Sequence, residues 1–257
     1  SYGGAFAGKP VFLFNASDKR INTAMVGTAA LTGIYGDSEE FQRAREAFEE
    51  DPTNAELLDA AIDAAGAPGL PLQVLLESPG AVHQAFDIAA HPRVQSISFG
   101  LMDFVSAHGG AIPAHGLGVE GQFTHPLVVR AKLEIASACH AHGKVPSHSV
   151  ITEFSDVKAM HHAARRACRE FGFTRMWSIH PAQIRPILEA LAPDAQDIET
   201  ASTIILAAQA LDWAPISHAG QLHDRASYRF FWQLLQRAHD TGRPMPAEVR
   251  KYFQIKP

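Results

Sequence analysis

The chain has 257 residues, 46% hydrophobic and 19% charged, the balance of a globular protein with one large domain or two small ones. A formal net charge of -5 argues against a general nucleic-acid or anionic-membrane surface. No apolar run approaches the length of a membrane span, and the opening "SYGGAFAGKP" has no signal-peptide order, reading instead as a tag scar or fragment start.

In chain order, "KPVFLFN" (9–15) is predicted as one strand. The small-residue run "INTAMVGTAALTGIYG" gives no clear assignment, and "SEEFQRAREAFEEDPTNAELLDAAIDAAG" (38–66) is predicted as an acidic helix interrupted at Asp51-Pro52. From Leu70 the pattern becomes regular. Strand-length runs at 70–77, 94–100, 144–151 and 174–180 stay apolar without strict alternation, as strands covered on both faces do. Between them lie helical segments, such as the one carrying Val157, Met160, Ala164, Cys168 and Phe171, with Ser155 expected to cap it and Gly172 to end it. Repeated βα units imply an α/β fold with a parallel sheet, doubly wound or closed into a barrel.

The tail differs. Residues 195–212 read as an amphipathic helix with Ile198, Ala201, Ile205 and Ala208 on one face. After the break "WAPISHAGQ" comes a helix at 228–238 whose Phe230, Phe231, Trp232, Leu234 and Leu235 wrap more than one stripe, as a surface buried against another subunit does. The expected division is an atypical segment at 1–69, a βα-repeat portion at 70–192 and a helical extension at 193–257. Cys139 and Cys168 lie on separate predicted helices without CxxC spacing, so free thiols in the cytoplasm are expected. The 14 histidines are scattered, with no HExxH and no zinc-ligand spacing.

Two carboxylates stand out. "SISFGLMDFV", Ser96 to Val105, reads as a buried strand ending on Asp103. Glu77 closes the run before it, 26 residues earlier, about one βα unit. Neighbouring parallel strands lie about 5 Å apart, so both would point into the mouth where parallel α/β sheets hold their active sites. Two carboxylates plus water and a chelating substrate suit Mg²⁺. Spacing alone leaves helix N-capping as an equal alternative.

Three stretches together go further. "VLLESPGAVHQAFDIAAHPRVQSISFGLMDFVSAHGG" resembles the segment of the HpcH/HpaI aldolase and citrate lyase beta-subunit family that holds its magnesium ligands. "GFTRMWSIHPAQIRPILEALAPDAQDIETASTIILAAQ" is similar to that family's last barrel strand with its IHPxQI signature, and "SHAGQLHDRASYRFFWQLL" to its C-terminal segment. The likeness covers roughly residues 70–240, with the motifs in the expected order.

The resemblance, to the CoA-thioester lyase branch, implies a modified (β/α)8 TIM barrel with a C-terminal helical extension, assembled as a homo-oligomer (trimer or hexamer). It implies Mg²⁺, with Mn²⁺ as a substitute, held by Glu77 and Asp103. It also implies an acyl-CoA thioester and a 2-oxo acid as substrates, joined or separated through a thioester enolate. Asp224 occupies the position of an aspartate that reaches a neighbouring subunit's site, and is the candidate acid/base; an N-cap role fits its surroundings equally well. Gly100, Met102, His180, Pro181 and Gln183 fall in the motifs that line the substrate, with a structural role favoured for His180. Pro181 marks an extended-to-helix transition. Ser147, His148 and Glu153 are held in reserve as pocket residues.

The family's acidic Asp-Leu-Glu-Asp and arginine-bearing Val-Arg-Val-Asn motifs are absent from residues 1–70, where Leu13 and Phe14 stand near the expected slot and Lys19 and Arg20 come later. Met102 replaces a commonly acidic residue. Five strands are predicted where a closed barrel needs eight, so either an N-terminal piece is missing or that half is rebuilt. The activity expected is cleavage or formation of a citryl-, malyl- or citramalyl-CoA type thioester. The alternatives are a pyruvate-type aldolase without CoA and a silent homologue serving as an assembly subunit.

Overall fold

The computed structural model describes residues 12–15 and 22–23 as strand backbone, and residues 71–153 and 155–253 in full. The expected helix at 38–66 and most of segment 1–69, Lys19 and Arg20 included, lie outside the described residues. The chain divides into two compact units between Gln183 and Ile184.

The first unit is built on one sheet. Strands β1 (Phe12–Asn15), β3 (Leu72–Leu76), β4 (Val94–Phe99), β5 (Val145–His148) and β6 (Arg175–Met176) run parallel in that order, and β2 (Asn22–Thr23) pairs antiparallel with β1 at one edge. The crossovers carry α1 (Pro79–His83), α2 (Ala85–Ala90), α3 (Leu101–Ser106), α4 (Pro126–Ala141) and α5 (Val157–Phe171); α6 (Pro181–Leu191) follows β6 and runs past the division at Gln183. An α/β fold with a parallel sheet is therefore established.

The sheet's two faces differ in chemistry. Leu72, Val74, Leu76, Ile97, Phe99 and His148 belong to the face on which α4 packs, and all are buried. Alternation sends their neighbours the other way. Register sets Leu75, Ser98, Ser147 and Arg175 side by side across four strands, on the second face.

The run read as a strand ending on Asp103 is shorter than expected. β4 stops at Phe99, Gly100 turns the chain, and Leu101, Phe104 and Val105 recur at helical spacing and are buried, so 101–106 forms α3. Asp103 sits in its first turn, exposed to solvent rather than buried at a strand end. Phe99 meets Phe104 edge-on at 5.2 Å, which fastens the helix back onto the strand and is worth about 0.5–1.5 kcal/mol beyond area burial. The start of α5 is also displaced by one residue. Asp156, not Ser155, is the N-cap and accepts from the amides of Lys158 and Ala159, while Gly172 ends the helix at φ 73° as expected.

The second unit packs α7 (Ala195–Ala210) against α8 (Arg225–Asp240). Ile198, Ala201, Ile205 and Ala208 form the predicted buried face, and they meet Tyr228, Leu234, Leu235 and Ala238 from α8. The break before α8 contains an unforeseen hairpin, β7 (Ile216–His218) and β8 (Gln221–His223). Tyr228 pins it with its hydroxyl, whose single proton is shared between the carbonyls of Ala214 at 2.7 Å and His223 at 3.1 Å. Short α9 (Ala247–Arg250) closes the unit, burying Val249.

Candidate active site

Glu77 leaves β3 where Gly100 leaves β4, and the amide of Gly100 donates to the carbonyl of Leu76 at 2.8 Å. Glu77 is only 5% exposed. Its side chain fills the space a Cβ at residue 100 would occupy: such an atom would collide with Cγ and lie 2.7 Å from Oε1. Glycine here is what lets the carboxylate lie over the N-terminal end of α3. Asp103 follows three residues later on that helix, with Met102 beside it, 46% exposed. One buried and one exposed carboxylate thus occupy the same end of adjacent strands. Among the described residues, no group of three or more His, Cys, Asp or Glu converges on one point. The donor set available is hard oxygen, two carboxylates deep, which fits Mg²⁺ if water and a chelating ligand complete the shell.

The IHPxQI stretch behaves mainly as a joint. His180 is exposed and its Nδ1 accepts from the amide of Ala182 at 3.2 Å. Pro181 begins α6. Gln183 is buried, its Nε2 donating to the carbonyls of Ile151 at 2.7 Å and Glu153 at 3.0 Å while its Oε1 accepts from Ile179 at 2.9 Å. Both amide hydrogens are thereby committed to holding the loop after β5. Glu153 in turn accepts from the amides of Ser155 and Asp156 at 2.6 and 3.1 Å, ordering the entry to α5.

Of the reserve residues, Ser147 and His148 are neighbours on β5 and so point to opposite faces. His148 belongs to the helix-covered side. Its ring stacks on Phe123 at 5.3 Å, and Lys132 lies over that same Phe123 ring, its Nζ 3.8 Å from the centroid and donating to Gln122 Oε1 at 3.0 Å. Burial, then the charge of Arg166, holds the Lys132 ammonium pKa well below its usual value; burial, then Lys132, does the same to His148. This buried pair was not foreseen; Lys132 inside an otherwise small-residue helical face, "RAKLEIASA", was its only trace.

In the second unit, Asp224 caps α8. Its Oδ1 accepts from the amide of Ala226 at 3.0 Å, and Ser227 completes a capping box by accepting from the Asp224 amide at 3.0 Å. The carboxylate remains exposed.

No family model matches the chain. An L-malyl-CoA/beta-methylmalyl-CoA lyase of Cereibacter sphaeroides is 30% identical over 172 residues, 61% of this chain and 53% of the relative. The crystal structure of a citrate lyase from Burkholderia xenovorans LB400 is 52% identical with a TM-score of 0.69, covering 80% of this chain and 65% of that one. The homologues of this chain are thus malyl-CoA lyases and citrate lyase beta-subunit-like proteins. The chain spans about half the length of the curated relatives it matches. CitE from Mycobacterium tuberculosis, solved with magnesium, acetoacetate and coenzyme A, shares the fold: 19% identity, TM-score 0.60, 89% of this chain and 90% of that one. These homologues accord with the HpcH/HpaI resemblance seen in the motifs. Among the described residues no helix is long and apolar enough to cross a membrane.

Proposed function

We propose that this citrate lyase beta-subunit homologue is a Mg²⁺-dependent carbon–carbon lyase acting on a hydroxy-diacyl-CoA thioester of citryl, malyl or citramalyl type. The observation that carries this reading is the carboxylate end of β3 and β4: Glu77 seated in the gap left by Gly100, with Asp103 on the following helical turn. In this reading Glu77 and Asp103 hold the cation, Mn²⁺ being a workable substitute, and a cation so held supplies Lewis-acid polarisation of the 2-oxo carbonyl. The remaining work belongs to the chain. Burial of Glu77 keeps it from water and directs its charge at the bound cation. Met102 and Gly100 edge the same mouth as apolar and backbone surface for the substrate, with His180 and Pro181 at the start of α6.

Asp224 is assigned the acid/base role. Its side chain caps α8 and the residue stays exposed, so the carboxylate faces solvent where a substrate group can meet it. Assignment to a neighbouring subunit's site accords with a homo-oligomer, trimer or hexamer. The parallel sheet is read as part of a modified (β/α)8 barrel, with residues 193–257 as its helical extension.

Two measurements test the proposal. Asp103→Asn is expected to abolish lyase turnover on malyl-CoA while leaving the melting temperature of the metal-free protein nearly unchanged. The Mg²⁺-dependent thermal shift should disappear in Glu77→Gln. A wild-type chain that shows no Mg²⁺ shift and releases no acetyl-CoA from malyl-CoA is a silent homologue. A chain that cleaves a hydroxylated 2-oxo acid without any CoA thioester is instead a pyruvate-type aldolase.

A further inference from the structure

The second face of the sheet carries an unexpected row of polar groups. Ser98 of β4 pairs in register with Ser147 of β5, and Ser147 with Arg175 of β6. Ser98 and Ser147 are each 1% exposed, and neither hydroxyl has a hydrogen-bond partner among the described residues. Buried hydroxyls are ordinarily satisfied, so two orphans on adjacent strands call for an explanation. Arg175 supplies the direction. Its guanidinium crosses β5 to donate to Ser96 Oγ at 3.4 Å, a long contact that nevertheless sets the side chain on the face of Ser96 and Ser98. Among the described residues, no carboxylate lies within ion-pair distance of it. The same face continues to Glu77, two residues beyond Leu75, roughly 7 Å along the strand.

We infer that Arg175, with the hydroxyls of Ser98 and Ser147, binds a carboxylate of the substrate on the sheet face one residue layer below Glu77. A guanidinium presents parallel N–H donors that match a carboxylate's two oxygens, and two serine hydroxyls can donate to the same group. A half-buried cation with no counter-ion among the described residues is costly until an anion arrives, and burial already lowers the Arg175 pKa. The arrangement gives one substrate two anchors: a hard cation at Glu77 for the carbonyl end, and a guanidinium deeper in the fold for a carboxylate. The choice of a 2-oxo acid as that substrate rests on the lyase reading; the existence of an oxyanion site does not.

The test is calorimetric titration of pyruvate into the full chain with Mg²⁺ present and ionic strength held fixed, alongside the Mg²⁺-dependent thermal shift of each variant. Arg175→Met is expected to weaken pyruvate binding about tenfold or more while keeping the Mg²⁺ shift, with Arg175→Lys in between. Ser98→Ala/Ser147→Ala removes only small hydroxyls, and should weaken binding severalfold without harming the fold; it decides the matter if Arg175→Met fails to fold. Wild-type affinity in both Arg175→Met and the serine pair overturns the inference, as does a wild-type chain that binds no pyruvate. Loss of the Mg²⁺ shift in wild type, with pyruvate binding still dependent on Arg175, removes the metal-dependent lyase reading and leaves the carboxylate site standing.

Discussion

At the scale of single residues, the contact between Gly100 and Glu77 is the most demanding. The carboxylate occupies the volume of a side chain at position 100, so the two positions are coupled by sterics. Gly100→Ala is expected to cost about 1–3 kcal/mol in thermal or urea unfolding, because the added methyl must displace Glu77 from a buried slot. In a Glu77→Ala background the same substitution should cost far less, since nothing remains to collide with. Equal costs in the two backgrounds would show that the pair is not in contact. The sequence made Glu77 visible because it interrupts an apolar run. It made Asp103 visible for a mistaken reason: an apolar stretch across 96–105 looks alike whether it is strand, helix, or one followed by the other. Arg175 is not legible as a site residue, because its strand has two residues, too few to show which face it takes.

At the scale of elements, Gln183 couples three backbone segments. It bonds to Ile151 and Glu153 after β5 and to Ile179 before α6, all through one buried amide. Gln183→Leu leaves the buried Ile151 carbonyl without its donor and frees the part-buried Glu153 carbonyl and Ile179 N–H, and should cost about 1–3 kcal/mol. The sharper reading is local: the Ile179 amide, which now donates to Gln183, should exchange its hydrogen much faster in the variant. Unchanged exchange at Ile179 would contradict the clamp. Strands β3 and β4 were legible because they are buried and continuously apolar. The β7–β8 hairpin was not, because its turn uses Ala219 and Gly220, at φ 49° and 76°, where an Asn-Gly pair would have signalled it. Its short strands also expose Ser217, Gln221 and Leu222, so no alternation marks them. The α5 cap was misplaced by one because Ser155 and Asp156 are both good caps; the structure sets Ser155 to Glu153 and leaves the helix amides to Asp156.

At the scale of the whole molecule, the candidate metal ligands came from the exposed mouth of the sheet, but the titration of the fold comes from its covered side. Lys132 and His148 are both buried bases whose pKa values are lowered in the folded state. For each, the unfolded chain binds more protons between the lowered value and the ordinary one, so stability rises with pH across that window. For Lys132 the window ends at 10.5, and for His148 at 6.5. Cys139 acts in the opposite sense: burial pushes its thiol from 9.0 up to about 12, so the unfolded chain loses that proton first and stability falls as pH rises above 9.0. Between about pH 7 and about pH 9 neither His148 nor Cys139 contributes a slope, which leaves Lys132 as the shifted group there. In the part of that interval that lies above the lowered Lys132 value the wild-type melting temperature should climb, and Lys132→Met should flatten the climb, because a buried base is replaced by a side chain with no proton to bind. Below 6.5 the variant should still lose stability through His148, less steeply because the repulsion from Lys132 is gone. Melting curves of wild type and variant that run parallel from about pH 7 to about pH 9 would place the Lys132 ammonium in water, contrary to its packing on Phe123 and Gln122.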